Sequence, residues 1–548
     1  MNRQFALLLL GLTFMIAAVA QPVIRSSTPV LNSASYIGPE LTGSGSGIAQ
    51  GSLFALYGSG FGPSDSYANA TTFPLPTVLA DVSVTVTVGN TSSSAIILGV
   101  YYGYQVNAVL PSATPVGTGT ITVTYGGLTS APAPIQVVPA SFGIYTANSQ
   151  GKGQAAATDP AFNQNSIIHT FHPGDVVILW GTGLGGVSWN ETQLPPPSQL
   201  VSLAAPVQVY VGNTVAPPAP SDYHGRSGCC AGLDEVVFTA PAGVEGCHVP
   251  VGVKAGAVMS NVATIAISNT GQTCSDSPMG QDLVDKLAAG ENVKFGWIRL
   301  EGGAGTGDYA GGTFNEFSPA TAKLASYGVS SGYCIALEWG GNNGLFLTDL
   351  TLPFLNAGPA LTAQGPLGTY QIPEFTFPPG AYYTVLSTNA RVLWAGSNFT
   401  VSGAGGPDVV AFTTSKTMPV LGSPITNIAY FSDLSRSDDL AIEWAPNQFS
   451  QPNGVATLGG LSLDYNSDGS FHTVAEIQCT VPVAPGHFTI PAWVLSVLPP
   501  SGTAPPNGGV TGFLWLGQYD TPTPFTATGL DKGIISAATF SLNVVKFH

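Results

Sequence analysis

The front half of this chain carries one pattern twice: an apolar strand that runs into a Gly-x-Gly-x-Gly turn. The pattern occupies residues 51–62 and returns at residues 174–185. A Val-Gly-Asn turn repeats with the same offset, at residues 88–90 and 211–213. Because two separate features recur at one spacing, a whole module has been duplicated, not a short motif. The chain is therefore predicted to begin with a tandem of β-sandwich domains, a fold that by itself specifies no function.

The segments between the repeats read as strands of half-buried sheets. Residues 81–88 alternate apolar and polar side chains, as a strand with one face in a core requires. The second module is longer than the first, and the extra residues fall in an insertion at 217–230 that contains Cys229 and Cys230. We interpret the insertion as a loop tied to its own domain; the alternative is a rigid loop presented to a partner.

Composition favours an all-β protein and argues against nucleic-acid binding. Only 8% of the residues are charged and 44% are hydrophobic, with 68 glycines and 44 prolines among 548 residues. This composition is typical of strands joined by tight turns and leaves little material for helices. The net charge of −16 would repel a phosphate backbone. The length accommodates about four sandwiches, each with its own core.

The N-terminus reads as a signal peptide over residues 1–20. An apolar run extends from Phe5 to Ala20, and Ala18 and Ala20 have the small-x-small form of a cleavage site. The run is short for a membrane span, so a retained anchor helix is the less favoured alternative. We therefore expect a secreted or cell-surface protein without a transmembrane segment after cleavage.

Six cysteines in an exported chain predict three disulfides. They are Cys229, Cys230, Cys247, Cys274, Cys334 and Cys479. The simplest grouping joins Cys334 to Cys479 and pairs the other four among themselves, Cys229 and Cys230 with Cys247 and Cys274, in an order that the sequence leaves open. Zinc is the alternative for those four, but a C-x-x-C pair is missing, and adjacent cysteines do not readily supply two tetrahedral ligands.

Several short motifs within residues 28–270 resemble those of a known family. They are Asn32-Ser-Ala-Ser-Tyr36, the two glycine turns, Tyr104-Gln-Val-Asn107, Phe142-Gly-Ile-Tyr145 and Gly153-Gln-Ala-Ala-Ala157. Together they are similar to the uncharacterised C-terminal domain family of Solibacter and other acidobacterial secreted proteins, whose halves resemble IPT/TIG immunoglobulin-like domains. The resemblance implies immunoglobulin-like sandwiches at residues 28–138 and 139–270, and it supplies no catalytic residue. The long back half and the cysteine insertion depart from the family pattern.

The back half is predicted to be β-rich as well. Residues 271–290 read as a hinge whose short helix, at 281–289, stops before a glycine. An Ala-Leu/Ile-Glu-Trp motif occurs at residues 336–339 and again at 441–444. The repetition favours two further sandwich-like units, residues 291–418 and 419–548. A bridge between Cys334 and Cys479 would join these units into one body, and the sequence leaves open whether they are one domain or two.

Two motifs have residues that metal ions use. His169 and His172 precede a strand, where successive side chains diverge, so we interpret them as exposed loop residues. Asp464, Asn466 and Asp468 match the opening of a calcium loop. The closing glutamate is missing at its place, and Asp-Gly between two strand signals is a strong hairpin turn. We therefore expect no cofactor, with calcium at residues 464–468 as the alternative.

Catalysis has little support in the sequence. Glu338 and Glu443 have the chemistry of a glycosidase carboxylate pair, but they occupy equivalent positions in two predicted units, so we interpret them as strand residues. A nucleophile elbow, an H-E-x-x-H helix and a phosphate-binding loop are all missing. A triad assembled from distant strands leaves a cryptic secreted hydrolase as the minor hypothesis.

The aromatic residues leave carbohydrate binding as an alternative function. The first candidates for a sugar-stacking surface are Tyr101, Tyr102, Tyr104, Trp339 and Trp444, although large aromatics in sandwiches are usually core residues. The preferred prediction is a non-catalytic protein with a structural or adhesive role at or outside the cell surface, and with a surface protein or glycan as partner. A carbohydrate-binding module is the alternative, and a flat exposed row of aromatic side chains would favour it.

Overall fold

The structure is a computed structural model of the chain. It describes residues 21–37, 47–275, 278–303, 307–323, 328–338, 352–375, 380–387, 391–422, 425–430, 432–465, 471–502 and 509–548. The predicted signal peptide, residues 1–20, lies outside these ranges. The architecture is all-β and begins with tandem immunoglobulin-like sandwiches, as the sequence predicts.

The first module is a sandwich of two sheets. Its strands are β1 Val23–Ile24, β2 Val30–Asn32, β3 Ile48–Ala49, β4 Leu53–Ser59, β5 Tyr67–Asn69, β6 Val82–Val88, β7 Thr91–Ser94, β8 Ile96–Tyr101, β9 Gln105–Val109, β10 Gly117–Tyr125, β11 Leu128–Thr129 and β12 Ala133–Val138. One sheet has the order β1-β4-β9-β8-β5, with β2 also on β4; the other has the order β3-β12-β10-β6-β7, with β11 on β10. Phe54 and Val106 from the first sheet pack against Val84 and Ile121 from the second in one buried core.

The second module repeats this plan. Its strands are β13 Gly143–Ile144, β14 Ala157–Thr158, β15 Val176–Thr182, β16 Val207–Val211, β17 Thr214–Val215, β18 His224–Arg226, β19 Asp234–Thr239, β20 Gly246–Ala255, β21 Val258–Met259 and β22 Ala263–Ile267. The sheets have the orders β13-β15-β19-β18, with β14 on β15, and β17-β16-β20-β21, with β22 on β20. Leu179 and Phe238 from one sheet meet Val251 and Ile265 from the other in a separate core.

Polar contacts hold the two modules together. The backbone N–H of Leu53 in the first module donates to the buried Thr182 hydroxyl in the second, at 2.9 Å. Glu191 of the second module accepts hydrogen bonds from the backbone N–H and the hydroxyl of Ser112 in the first, at 2.7 and 2.8 Å. Because both contacts are partly or fully buried, they fix how one module sits on the other.

The back half contains the longer strands. They are β23 Val293–Gly302, β24 Asp308–Phe317, β25 Tyr333–Glu338, β26 Ala360–Gly365, β27 Gly368–Pro373, β28 Ala381–Ser387, β29 Asn398–Gly403, β30 Phe412–Thr417, β31 Asp433–Leu434, β32 Leu440–Glu443, β33 Val455–Tyr465, β34 Phe471–Pro482, β35 His487–Ile490, β36 Gly509–Tyr519, β37 Thr523–Phe525 and β38 Lys532–Phe547. The helices are α1 Gln281–Ala288 and α2 Ala492–Leu495, with short 3-10 turns at Pro197–Gln199, Thr321–Lys323 and Pro446–Gln448.

One ten-stranded sheet organises the back half. Its order is β25-β34-β33-β36-β38-β23-β24-β28, with β31 and β37 also on β38, while β27-β26-β29-β30 and β32-β35 form smaller sheets. Strand β38 joins two cores, since Ile535 packs with the four-stranded sheet and Val545 packs with α2 and β32. The large sheet thus takes strands from both predicted units, 291–418 and 419–548. The domain limits themselves stay predictions.

The three disulfides close stretches of chain of very different length. Cys334 pairs with Cys479, the predicted partner, on the adjacent strands β25 and β34. The predicted grouping of the other four is wrong: Cys229 pairs with Cys230, and Cys247 pairs with Cys274. The reason is spatial, because Cys229 and Cys230 are exposed in the insertion, whereas Cys247 is buried in a cluster beside α1.

Helix α1 lies where the sequence predicts a short helix. It has 8 residues and buries Leu283, Val284 and Leu287, and Gly290 follows it with a φ of 93°. Within the described ranges, neither helix has the length and hydropathy of a membrane-spanning segment.

Candidate functional site: a tyrosine band on the first module

Strand register places several tyrosines side by side on the outer face of one sheet. Tyr67 on β5 lies opposite Tyr101 on β8, Tyr101 lies opposite Gln105 on β9, and Gln105 lies opposite Tyr57 on β4. Directly opposed residues share a face of the sheet, and the alternate residues of these strands fill the core. We call this surface the tyrosine band; it comprises Tyr57, Tyr67, Tyr101, Tyr102 and Tyr104.

Three members of the band are well exposed and lie next to one another. The exposed fractions of Tyr67, Tyr102 and Tyr104 are 62%, 45% and 49%. The ring centroids of Tyr67 and Tyr102 are 6.1 Å apart, and those of Tyr102 and Tyr104 are 6.2 Å apart with planes inclined by only 14°. The row is exposed, as a carbohydrate-binding surface requires, but it is not flat, because the plane of the Tyr67 ring is inclined by 54° to that of Tyr102.

The turn between β8 and β9 holds Tyr102 in an unfavourable backbone conformation. Tyr102 and Gly103 both have positive φ, 49° and 69°, and the N–H of Tyr104 donates to the carbonyl of Tyr101 at 3.0 Å. Turns with two positive φ values favour Asn-Gly. A large side chain in the left-handed region costs about 1–2 kcal/mol. The chain therefore keeps an exposed aromatic ring where its backbone disfavours one, as strained functional positions do.

The first of the duplicated glycine turns supports this tyrosine turn. The N–H of Phe61 donates to the carbonyl of Gly103, and the N–H of Gly58 donates to the carbonyl of Tyr104, each at 2.9 Å. A Cβ on Gly103 would lie 2.8 Å from the carbonyl oxygen of Gly62. The two loops therefore fit only because Gly103 has no side chain.

Side-chain amides lie beside the rings. The Tyr101 hydroxyl donates to Asn69 Oδ1 at 2.8 Å, and Gln105 Nε2 donates to Asn107 Oδ1 at 2.8 Å. A Cβ on Gly99 would lie 2.4 Å from the Tyr101 hydroxyl oxygen, so the ring of Tyr101 lies across this glycine. The band thus combines apolar ring faces with amide donors and acceptors.

The hydroxyls of the inner band stay protonated at neutral pH. The pKa of Tyr57 is raised to about 12, chiefly by burial; the nearby hydroxyls of Tyr36 and Tyr104 also raise it, and Arg25 lowers it. The Arg25 guanidinium lies 5.0 Å from the centroid of the Tyr57 ring. Burial also raises the pKa of Tyr101. These hydroxyls therefore remain hydrogen-bond donors.

The second module covers the end of this outer face that lies away from the tyrosine band. Leu53, Ile96 and Val109 of the first module form an apolar cluster with Ala231, which follows the cysteine insertion. One end of the outer face is thus buried between the modules, and the tyrosine band is the end that remains open.

This arrangement can bind but has no evident means of catalysis. Exposed rings with neighbouring amides can stack on the apolar face of a sugar and hydrogen-bond its hydroxyls. General acid–base or nucleophilic chemistry needs a titrating group within reach of a nucleophile, and the band supplies tyrosine hydroxyls and neutral amides. We therefore treat it as a recognition surface.

His169 and His172, which the sequence indicates to be exposed loop residues and not a metal site, each lie near a different carboxylate. His169 Nε2 lies 3.8 Å from an oxygen of Asp159, and His172 Nδ1 lies 3.4 Å from an oxygen of Asp175. Each imidazole has its own carboxylate neighbour. Within the described ranges, no group of three His, Cys, Asp or Glu side chains is placed to hold a metal ion.

The calcium candidate is only partly described. Asp464 lies on β33 opposite His472 on β34, so strands flank the loop as the sequence predicts. Asn466 and Asp468 lie outside the described residues. Calcium binding at this loop stays a prediction.

The remaining candidates lie in the back half. Trp444 is 4% exposed and its Nε1 donates to the carbonyl of Val483 at 2.8 Å, so it is a core residue. Trp339 lies outside the described residues. Glu443 is an exposed residue of β32, and the backbone of Glu338 ends β25.

Part of the tyrosine band was predictable from the sequence, and the rest was not. Tyr101, Tyr102 and Tyr104 stand out because they are close in sequence. Tyr57 and Tyr67 join them only through the register of β4 and β5 with their neighbours. Strand pairing of this kind is set by contacts between distant segments, and a single sequence does not show it.

No protein-family model matches the chain, and no curated protein matches it. Solved structures align weakly. SGBP-B of the mixed-linkage glucan utilization locus of Bacteroides ovatus, in complex with a mixed-linkage heptasaccharide, is 10% identical over 84% of this chain and 92% of that chain, with a TM-score of 0.14. SGBP-B of a complex xyloglucan utilization locus of Bacteroides uniformis is 10% identical over 91% of this chain and 96% of that chain, with a TM-score of 0.14.

The FN1–FN3 domains of chicken CNTN1 are 9% identical over 68% of this chain and 96% of that chain, with a TM-score of 0.14. At TM-scores this low the alignments carry no argument about fold or function. The fold class stands on the sheets and cores described above.

Proposed function

We propose that this is an exported, non-catalytic β-sandwich protein that adheres to carbohydrate outside the cell through the tyrosine band. The observation that carries the proposal is the exposed row of Tyr67, Tyr102 and Tyr104, with Tyr102 held at a φ of 49°. A solvent-exposed apolar cluster of this kind marks a binding surface. Strain at its centre is a cost that folding alone does not explain.

The proposed ligand is a neutral glycan. The protein has a net charge of −16, which disfavours approach by a polyanionic polysaccharide. The exposed members of the band are tyrosines, and Asn69 beside them is an uncharged amide. Stacking rings and amides match sugars that present apolar ring faces and hydroxyl groups.

Export is supported by the predicted signal peptide at residues 1–20 and by the three disulfides, which are typical of oxidising compartments. Membership of the Solibacter-type family of acidobacterial secreted proteins remains a proposal that rests on the motifs of residues 28–270.

The test is a glycan array probed with the purified mature protein, with and without calcium. The matched variants are Tyr67→Ala/Tyr102→Ala/Tyr104→Ala and, as control, Tyr430→Ala, which removes another exposed tyrosine far along the chain. We expect the wild type and the control to bind the same neutral glycans and the triple variant to lose them. Calcium dependence would support the loop at residues 464–468 as a site. An array that stays blank for the wild type would contradict the proposal and leave a purely structural role.

A further inference from the structure

The tyrosine band ends at a cleft. Beside Tyr57 the surface opens into a cavity of about 380 Å³ that Arg25 and Tyr36 of the first module also line. The far side of the cleft comes from the second module, at Ser149 and Gln150, and from β25 of the back half, at Ala336. The cleft therefore lies where three parts of the molecule meet.

The band and the cleft share Tyr57, and backbone hydrogen bonds join Tyr57 and its neighbour to other residues of both. The backbone N–H of Arg25 donates to the carbonyl of Tyr57 at 3.0 Å, and the carbonyl of Tyr104 accepts from Gly58, the next residue on β4, at 2.9 Å. Tyr57 thus belongs to the tyrosine band and to the cleft. The exposed Tyr67 lies at the other end of the band. A chain molecule stacked along the band from Tyr67 would reach the cleft at Tyr57.

The cleft contains further backbone strain. Tyr36 has a φ of 58° and Ser149 a φ of 55°. Local hydrogen bonds hold both loops: the N–H of Tyr36 donates to the carbonyl of Asn32, and the N–H of Ser149 donates to the carbonyl of Thr146, each at 2.9 Å. Non-glycine residues rarely adopt these values, and they cluster at ligand sites. The strain therefore marks the cleft independently of Tyr102.

The lining of the cleft suits a sugar. Hydroxyl and amide groups are provided by Ser35, Tyr36, Tyr57 and Gln150. The cationic side chains of Arg25 and Lys152 also line the cleft, and none of the described residues that line it is acidic. Its volume lies at the small end of ligand pockets, which run from about 300 to 1,000 Å³. A single terminal sugar fits this size better than the middle of a polymer, which would need an exit on the far side.

We propose that the cleft receives the terminal sugar of the glycan whose chain stacks on the tyrosine band, so that the protein recognises chain ends. This inference rests on the proposed function. In this arrangement Ser149, Gln150 and Ala336, which line the cleft together with Tyr57, would limit how far the chain extends beyond Tyr57. Binding then depends on a free end of the glycan chain, and not only on how many of its sugar units can stack on the tyrosine rings.

The test uses cellohexaose, mannohexaose, maltohexaose and xylohexaose, each immobilised through its reducing end and, separately, through its non-reducing end. The protein variants are Gln150→Trp, which fills the cleft, and Gln199→Trp, which adds the same bulk at an exposed residue of the second module. We expect a hexasaccharide that binds to do so in one orientation only. We expect Gln150→Trp to weaken its binding by about tenfold or more, with Gln199→Trp unchanged.

The failure of chain-end recognition can be distinguished from the failure of the proposed function. Equal binding in both orientations, together with full binding by Gln150→Trp, would overturn chain-end recognition while the tyrosine band remained the binding surface. Binding that survives Tyr67→Ala/Tyr102→Ala/Tyr104→Ala would overturn the proposed function itself. Failure of every glycan on the array and every hexasaccharide to bind the wild type would overturn both.

Discussion

At the scale of single residues, Tyr102 shows a local conflict between folding and recognition. Its backbone lies in the left-handed region, where asparagine and glycine are the favoured residues. Its ring is exposed between two other exposed rings. Tyr102 therefore contributes little to the stability of the fold, and it supplies the central ring of the exposed row. Positions where local preference and the observed residue disagree are expected at functional sites.

Replacing Tyr102 by asparagine should stabilise the protein. We expect Tyr102→Asn to raise the free energy of unfolding by about 1 kcal/mol, because asparagine adopts positive φ at lower cost. Urea denaturation at equal protein concentration measures the change. Tyr67→Asn is the matched control, since Tyr67 lies on the strand β5 and tyrosine is favoured there. A destabilised Tyr102→Asn variant would contradict this account of the turn.

Glu476 should make stability depend on pH. Its pKa is raised from 4.5 to about 7, chiefly by burial and also by the charge of Glu301, while Lys152 lowers it. Since the folded-state pKa exceeds the unfolded value, the folded protein holds a proton that the unfolded chain releases. Stability is therefore lost as the pH rises through the range from 4.5 to about 7. Melting temperatures across this range should fall more steeply for the wild type than for Glu476→Gln; parallel profiles would contradict the assignment.

At the scale of strands and sheets, alternation was the most reliable signal in the sequence. Residues 81–88 alternate, and β6 occupies Val82–Val88 with every apolar residue buried. The two copies of the Ala-Leu/Ile-Glu-Trp motif, by contrast, lie in different sheets: β25 belongs to the ten-stranded sheet, whereas β32 pairs with β35 in a two-stranded sheet. Short motifs report local strand character, and which strands pair depends on distant contacts.

The bridge between β25 and β34 should stabilise the back half far more than the vicinal bridge stabilises its loop. Cys334 and Cys479 are separated by 145 residues, and Cys229 and Cys230 by 1. Cross-linking removes entropy from the unfolded chain in proportion to the logarithm of loop length. We expect Cys334→Ala/Cys479→Ala to lose about 2–5 kcal/mol and Cys229→Ala/Cys230→Ala to lose little. Equal losses in calorimetric melting would count against this reasoning.

At the scale of the whole molecule, the modules together make a surface that no module has alone. Ala231 of the second module covers one end of the outer face of the first, and Ala336 of the back half helps to line the cleft at the other. The duplication, the all-β class and the bridge between Cys334 and Cys479 were predictable from residue patterns. The shared ten-stranded sheet and the cleft were not, because each depends on how distant segments meet. The pairing of Cys229 with Cys230 was not predictable either, because it follows from where Cys247 and Cys274 lie in the fold.

The central claim is that Tyr102 serves recognition and not folding, and one measurement tests it directly. Isothermal titration compares Tyr102→Asn with the wild type, using the neutral glycan that the wild type binds on the array. Interface residues of this kind contribute more than about 1 kcal/mol when they matter. The account predicts binding weakened by about tenfold or more in a variant that is at least as stable as the wild type. Unchanged affinity in a fully folded Tyr102→Asn protein would contradict it.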